Sequence, residues 1–330
     1  MILAGDIGGT STRLALFEVE HGRPVPTAQH TYHSPQYPGL EEILSEFLAA
    51  GQPPIEAACF GIAGPVREGR VETPNLSWVV DAGRIATRLQ LRDVILLNDL
   101  EATGYGVATL QPSDLTILNE GKALVGGSCA VIAAGTGLGE AALHFDGSFY
   151  HPYASEGGHC DFAPRDQLEA GLLFALRRQL DHVSWERVVS GPGLLNLYRF
   201  LKDSGRGVEP AWLAERMARE DPPAVIAACA LEGSSDLCAL ALRRFVSCYG
   251  AEAGNLALKV LATGGVYLGG GIAPKILPEL KKPAFLEAFF DKGRYRKLME
   301  SIPVQVILND KTALYGAGRR GALASGRLRG

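Results

Sequence analysis

Near its N-terminus the chain reads D-I-G-G-T-S-T-R from Asp6 to Arg13, directly after a strand-like apolar run at residues 2–6. Two further glycine-rich turns adjoin strand-like runs: A-G-T-G-L-G-E at residues 134–140 and T-G-G-V-Y-L-G-G-G-I-A-P-K at residues 263–275. Glycine lets backbone N–H groups turn toward an anion and lets a phosphate approach without meeting a Cβ atom. Three such turns therefore predict two phosphate-binding loops and a third loop that holds a nucleotide.

The composition is typical of a globular protein with two domains or one large one. The 330 residues are 47% hydrophobic and 21% charged. A net charge of -4 argues against nucleic acid as the main partner. No uninterrupted apolar run reaches the roughly 20 residues that span a bilayer. Six cysteines without a C-x-x-C pair indicate buried, reduced thiols.

Hydrophobic periodicity divides the chain into an α/β first third and a more helical remainder. We expect early strands at residues 2–6, 14–20, 27–33, 57–63 and 94–97, with helices at residues 40–50, 82–91 and 100–108. A linker at residues 111–114 precedes a second hairpin, made by residues 130–134 and 141–145. Later helices are expected at residues 166–179, 184–190, 193–202, 211–219, 223–231, 236–261 and 311–323, and later strands at residues 266–268 and 304–308. The two hairpins, each with a glycine turn, indicate an old duplication.

Four more motifs occur between and beside the glycine turns. They read G-I-A-G-P-V at 61–66, L-N-D-L-E-A at 97–102, S-E-G-G-H at 155–159 and S-G-P-G-L at 190–194. The ordered series covers nearly the whole chain and resembles the bacterial ATP-dependent glucokinases, within the superfamily of sugar kinases, actin and Hsp70.

The resemblance implies an α/β, two-domain actin-like ATPase (ribonuclease H-like) fold with a cleft between a small and a large domain. The small domain would comprise residues 1–110 plus 311–330, and the large domain residues 111–310. A homodimer in the cytoplasm is also implied. The stretch C-D-F-A-P after His159 lacks the C-x-C-G-x-x-G-C motif of a related repressor/kinase family, so we expect no structural zinc.

Asp99 is the candidate general base. It follows a buried strand, at the end where α/β sheets present catalytic groups, and a carboxylate can take the proton of a sugar hydroxyl. From the residues alone, a role in capping the next helix is an equal alternative. The resemblance favours the catalytic role.

A sugar clamp is expected from Asn98, Asp99, Glu156, His159 and Glu186. The E-G-G-H spacing brings Glu156 and His159 onto one turn, and carboxylates, an amide and an imidazole can pair all the hydroxyls of a pyranose. Taken singly, His159 would more often be a surface histidine or one satisfied in the core, and Glu186 more often an early-turn helix residue placed for the macrodipole. Asn75 either touches the sugar or shapes its loop beside Pro74.

The glycine turns are expected to bind ATP and Mg²⁺. Asp6 would hold Mg²⁺ through water, and Arg13 would either reach phosphate or only solvate the end of the turn. A helix beginning near Ala273 and Pro274 would favour phosphate. The first loop would consist of Gly8, Gly9 and Thr10, the second of Gly135, Thr136 and Gly137, and the adenosine pocket of Gly269, Gly270, Gly271 and Ile272.

The resemblance therefore implies phosphorylation of D-glucose to glucose 6-phosphate by ATP, the first step of glycolysis. A kinase for another hexose or an N-acetyl amino sugar is the alternative, and other phosphoryl donors stay open. A sugar- and ATP-binding regulator without catalysis is a different class. It would need a DNA-binding appendage, for which we expect no room before the first loop. We expect glucose and ATP as partners, and neither nucleic acid nor membrane.

Overall fold

The computed structural model describes residues 1–49, 54–73 and 76–328. Its strands are β1 (Ile2–Ile7), β2 (Ser11–Glu20), β3 (Arg23–His33), β4 (Ala57–Ile62), β5 (Arg70–Glu72), β6 (Val79–Asp81), β7 (Val94–Asn98), β8 (Leu115–Asn119), β9 (Cys129–Ala134), β10 (Leu138–Phe145), β11 (Tyr150–Ser155), β12 (Gly265–Gly269) and β13 (Val304–Ile307). Its helices are α1 (Leu40–Leu48), α2 (Ala82–Leu89), α3 (Asp99–Val107), α4 (Gln167–Arg177), α5 (Gly191–Asp203), α6 (Ala211–Arg219), α7 (Pro222–Glu232), α8 (Asp236–Val260), α9 (Leu277–Leu280), α10 (Pro283–Phe290), α11 (Arg296–Ser301) and α12 (Thr312–Ala324).

The chain divides into two compact units. The first comprises Met1–Asp114, Leu143–Ala154 and Asn309–Gly330, and the second comprises Leu115–Ala142 and Ser155–Leu308. The C-terminal helix thus belongs with the N-terminal residues. Residues 143–154, the far end of the β10–β11 hairpin, also belong to the first unit. The sequence shows no change in hydrophobic pattern at residue 143 that would predict this assignment.

The sheet of the first unit has the strand order β3-β2-β1-β4-β7. β1 pairs antiparallel with β2 and parallel with β4. Side chains of β1 alternate between two cores: Leu3 and Ile7 lie on the side of α1 and α2, whereas Ile2 and Ala4 lie on the side of α3 and α12. β1 is therefore buried on both faces and holds the first glycine turn on a rigid strand.

The second sheet has the order β11-β10-β9-β12-β13-β8, so its first five strands repeat the order of the first sheet. The repeated strand order is what the duplication inferred from the two glycine hairpins would produce. Beside it lies α8, whose Ala241, Phe245 and Tyr249 belong to the largest apolar core. Among the described residues no single helix is long and apolar enough to cross a membrane; α7 and α8 reach that length and composition only together, across a bend of 104°.

Three local predictions were wrong. Residues 184–190 form only a single 3₁₀ turn, Trp185–Arg187, before α5 begins. Residues 271–276 are turns, so the helix expected near Ala273 is only the four-residue α9, which begins at Leu277. Cys160 is exposed, whereas the other five cysteines are buried, as expected.

Candidate active site

The first glycine turn joins β1 to β2 and is bound by Ser34, the residue that follows β3. Gly8 N donates to Ser11 O at 3.0 Å. Ser34 Oγ donates to Gly8 O at 2.8 Å, and Thr10 O accepts from Ser34 N at 3.1 Å. The carbonyl groups of Gly8 and Thr10 thus accept hydrogen bonds from the protein itself, which stabilises the turn.

Asp6 faces Arg13 across the β1–β2 pair, with Asp6 Oδ2 3.9 Å from an Arg13 guanidinium nitrogen. Arg13 also binds Asp310, through the backbone carbonyl and at 2.7 Å through Oδ2. Burial raises the pKa of Asp6 to about 6; Arg13 opposes this rise, whereas the charges of Asp99 and Asp310 add to it. The Arg13 guanidinium thus lies beside two carboxylates, those of Asp6 and Asp310, and the charge of Asp99 also acts on Asp6.

This charge pattern fits a divalent cation. Mg²⁺ prefers carboxylate oxygens and keeps several waters, and the excess of negative charge around Asp6 is what a cation would relieve. Of Asp6, Asp99 and Asp310, Asp6 is the one that lies on β1, the strand that leads into the first glycine turn. The described residues contain no group of three or more His, Cys, Asp or Glu side chains arranged to hold a metal by themselves.

Asn98 and Asp99 form the junction between β7 and α3. Asn98 is the N-cap of the helix: its Oδ1 accepts from Leu100 N at 2.9 Å, and its Nδ2 donates to Gly64 O at 3.2 Å. Asp99 is the first residue of α3, half-buried, and its Oδ1 also accepts from Leu100 N at 2.9 Å. The capping role that the sequence left open for Asp99 is therefore carried mainly by Asn98.

In the second unit, the EGGH turn (residues 156–159) carries two of the expected sugar ligands. The carboxylate of Glu156 lies 3.8 Å from His159 Nε2, and both side chains are more than half exposed, at 67% and 58%. The turn is a short 3₁₀ segment, Gly157–His159. The spacing thus brings both polar groups to one accessible place, as predicted.

Glu186 reaches the same neighbourhood through backbone pairing. Phe162 N donates to Val183 O at 3.0 Å, and Trp185 N donates to Cys160 O at 3.0 Å, so the segment after the EGGH turn runs beside the segment before Glu186. Glu186 Oε2 then accepts from Leu138 N, at the end of the second glycine turn, at 3.1 Å. Glu186 therefore links the EGGH turn to the second glycine turn.

The second glycine turn adjoins the start of α5. Gly135 N donates to Gly137 O at 2.9 Å, and Gly191 N donates to Gly135 O at 2.8 Å. Ser190 caps α5 by accepting from Gly193 N at 3.0 Å. The S-G-P-G-L motif is thus a helix start built against a glycine turn, an arrangement suited to an anion.

A pocket of about 660 Å³ opens at this turn. It contains Gly135 and Thr136 from the second turn together with Gly271 and Ile272 from the third. Apolar side chains dominate the remaining wall, which is formed by Leu194, Leu195, Pro222, Pro223, Ala224, Ala227 and Ile276, with Gly191, Pro192, Asp221 and Lys275 completing it. Its size and apolar wall are suited to a purine ring.

Not every glycine of the third turn lines this pocket. Gly269 ends β12, and Gly270 packs against the carbonyl of Ala134 with a φ of 79°, where a side chain would both clash and strain the backbone. Ile272 N donates to Ala134 O at 3.2 Å. Gly270 therefore serves to seat the third turn on the second. Asn75 lies outside the described residues.

Sequence reasoning missed Asp310 and most of the pocket wall. A signal for Asp310 was present, because L-N-D occurs at residues 97–99 and again at 308–310. The two sheets share their strand order, and the first copy lies at the end of β7 while the second directly follows the equivalent strand β13. The pocket wall from α5 and α7 carries no local motif, since its residues are ordinary apolar helix residues.

Comparison with known proteins agrees with this geometry. A family model described as Glucokinase matches residues 3–323. A glucokinase of Nostoc punctiforme is 43% identical over 343 residues, covering 99% of each chain. The crystal structure of a glucokinase from an Antarctic psychrotroph is similar with a TM-score of 0.85 at 30% identity, covering 98% of each chain.

The fold extends to more distant proteins. A ROK family glucokinase from Streptomyces griseus, in complex with glucose and AMPPNP, has a TM-score of 0.67 at 20% identity and covers 98% of this chain and 99% of its own. The predicted α/β actin-like ATPase fold class is thereby confirmed. The whole-chain match to the family model and to relatives well above 30% identity leads to one conclusion: the chain belongs to the glucokinase family.

Proposed function

We propose that Asp99 is the general base in the ATP-dependent phosphorylation of D-glucose, the reaction of the family to which this chain belongs. The observation that carries this assignment is the junction at β7: Asn98 caps α3, so Asp99 is fixed at the helix start by a neighbour that does the capping. Its carboxylate would take the proton of the glucose 6-hydroxyl as that oxygen attacks the γ-phosphorus of ATP.

Glucose would be held by Asn98, Asp99, Glu156, His159 and Glu186. Support comes from the second unit, where backbone pairing brings Glu186 beside the EGGH turn. Donors and acceptors paired to each hydroxyl reject a sugar that lacks one, because the unpaired polar group then loses its hydrogen bond. Asn75 is proposed as a further contact on the resemblance alone.

ATP would lie with its adenosine in the 660 Å³ pocket and its phosphates along the glycine turns. Gly8, Gly9 and Thr10 form the first phosphate loop in this proposal, and Gly135, Thr136 and Gly137 form the second. Gly271 and Ile272 would border the adenosine, and Gly269 and Gly270 would hold that turn in place. Mg²⁺, held by Asp6 through water, would neutralise charge on the transferring phosphoryl group.

The remaining proposals rest on the family resemblance. They are a homodimer, a cytoplasmic location, a role at the start of glycolysis, and domains at residues 1–110 plus 311–330 and 111–310. Light scattering on the purified protein would test the dimer by giving the mass in solution.

The first experiment is a coupled assay with Mg-ATP and a panel of glucose, mannose, fructose, galactose and N-acetylglucosamine. We expect kcat/KM to be highest for glucose, with glucose 6-phosphate and ADP formed in equal amounts. Preference for another sugar would keep the mechanism and change the substrate. ATP hydrolysis without sugar phosphate would contradict the assignment of Asp99 and of the sugar clamp.

A further inference from the structure

Two buried carboxyl groups lie beneath the EGGH turn, and the proposed reaction uses neither. Glu140 on β10 is 1% exposed and Glu252 on α8 is 0% exposed. Their side chains lie within hydrogen-bonding reach of each other. Two carboxylates so close cannot both be ionised at low cost in a buried place, so one of them holds a proton.

The hydrogen bonds identify which one holds it. Glu252 accepts from Asn255 Nδ2 at 2.8 Å and from Lys259 Nζ at 3.3 Å, so its charge is well paired. Glu140 Oε1 is buried, and within the described residues no hydrogen-bond partner reaches it. A proton on Glu140, donated to Glu252, would satisfy both groups. Burial and the charge of Glu252 accordingly raise the pKa of Glu140 to about 8.

Glu140 also touches the EGGH turn directly. Its Oε2 lies so close to Gly157 that a Cβ atom at this glycine would clash with it. The backbone carbonyl of Glu140 lies 3.4 Å from Ser155 Oγ, which in turn accepts from Gly157 N at 3.2 Å. The position of the turn therefore depends on where the Glu140 side chain lies.

We infer that Glu140, protonated and hydrogen-bonded to Glu252, is a positioning residue that holds the EGGH turn in its sugar-binding conformation. The inference rests on the proposed role of Glu156 and His159 as sugar ligands. When Glu140 loses its proton, the two buried carboxylates share one ammonium group, Lys259, and repulsion pushes the Glu140 side chain against Gly157. Glucose affinity should then fall, while the phosphoryl-transfer groups of the first unit are untouched.

Other charged or titratable groups face this pair, and the experiment must separate them. On α8 they are Tyr249, whose pKa burial raises, and Lys259, whose pKa the two carboxylates raise. Lys292 binds Ala251 O and Asn255 Oδ1, and burial lowers its pKa. The charge of Cys160, the residue after the EGGH turn, adds to the rise in the pKa of Lys259. Glu156 and His159 belong to the turn itself.

The test is glucose binding without nucleotide, measured by calorimetry between pH 6.5 and 9.5, alongside KM and kcat. For the wild type we expect the Kd for glucose to rise about five-fold or more above pH 8, with a smaller change in kcat. Glu140→Gln keeps a hydrogen-bond donor for Glu252 at every pH. At pH 7 the variant's Kd for glucose should therefore be close to that of the wild type, and it should not rise above pH 8. An unchanged alkaline rise in Glu140→Gln would overturn the inference.

Two controls make the result specific. Glu279→Gln removes another buried carboxylate of the same unit, paired with Lys282 at 2.6 Å, and should keep the alkaline rise. Cys160→Ser should keep it as well. Glu156→Ala tests the proposed function separately: if it leaves glucose binding intact, the sugar assignment fails. If it abolishes binding while Glu140→Gln behaves like the wild type, only the present inference fails.

Thermal stability gives a reading independent of glucose. The pKa of Glu140 is near 8 when folded against an ordinary value of 4.5, so the folded state retains a proton that the unfolded chain releases. Stability of the wild type should therefore fall as pH rises from 4.5 to about 8 and then level off. Glu140→Gln removes this loss, so its advantage in Tm should grow between pH 5 and 8. A constant difference in Tm across that range would contradict a protonated Glu140.

Discussion

The two L-N-D junctions of this chain have the same three residues and different tasks. Asn98 caps α3, and Asp99 is the first residue of that helix. At the second junction, Asn309 Oδ1 accepts from Lys311 N at 2.9 Å, but α12 begins only at Thr312. Asp310 therefore lies before its helix, with its side chain 73% exposed and bound to Arg13.

The difference shows that an Asn turn is set locally, whereas the role of the following aspartate is set by its neighbours. In both copies the amide oxygen accepts from the N–H two residues on, at 2.9 Å. Asp99 is left at a helix start as the candidate base. Asp310 is used instead to anchor Arg13 beside Asp6. Substitutions at matched positions can test this division.

The largest effect is expected from Asp99→Asn. Removing a general base should lower kcat by about 10²–10⁴-fold, because the asparagine amide cannot take a proton. The KM for glucose should change less, because the amide has the same shape as the carboxylate it replaces. Steady-state kinetics with glucose and Mg-ATP measure both values. Asp310→Asn is the matched control and should retain most of kcat. Equal losses in the two variants would erase the functional distinction between the junctions.

A middle-sized effect is expected from Asn98→Ala compared with Asn309→Ala. Asn98 supplies a helix cap and a second bond to Gly64 O at 3.2 Å, so its loss should lower the free energy of unfolding by about 1–2 kcal/mol. Asn309 supplies a turn bond outside the helix and a bond from Nδ2 to Asp114 Oδ1 at 3.3 Å; because neither bond caps a helix, its loss should cost about 0.5–1 kcal/mol. Urea unfolding of both variants gives the comparison, and a larger cost at Asn309 would speak against it.

The smallest effect is expected from Asp310→Asn on Mg-ATP binding. The pair with Arg13 is partly exposed, so its loss should raise the KM for Mg-ATP only about two- to five-fold while leaving the KM for glucose unchanged. Initial rates at varied Mg-ATP and fixed saturating glucose measure this. A change confined to glucose would show that Asp310 does not act through the Arg13–Asp6 strand pair.

Much of the local structure could be predicted from sequence. The long helix expected at residues 236–261 is α8 (Asp236–Val260), because its apolar periodicity is continuous. The glycine hairpins were found because glycine turns between apolar runs have few alternatives. The helix expected near Ala273 failed, since Pro274 and the adjoining glycines only permit a helix start, and the packing of Ile272 on Ala134 keeps this segment in turns.

The sequence by itself determined the glycine turns, the EGGH turn and the strands other than β5, β6, β8 and β11, because each depends on residues within a few positions of one another. Only the tertiary structure decided that Arg13 binds Asp310, that Glu186 lies beside the second glycine turn, and that Glu140 shares a buried place with Glu252. Glu186 is 48 positions from Leu138, to which it is hydrogen-bonded, and Arg13 is 297 positions from Asp310. Sequence pattern carries no record of such pairs, since the free energy that selects them comes from burial and charge created only when the elements pack together.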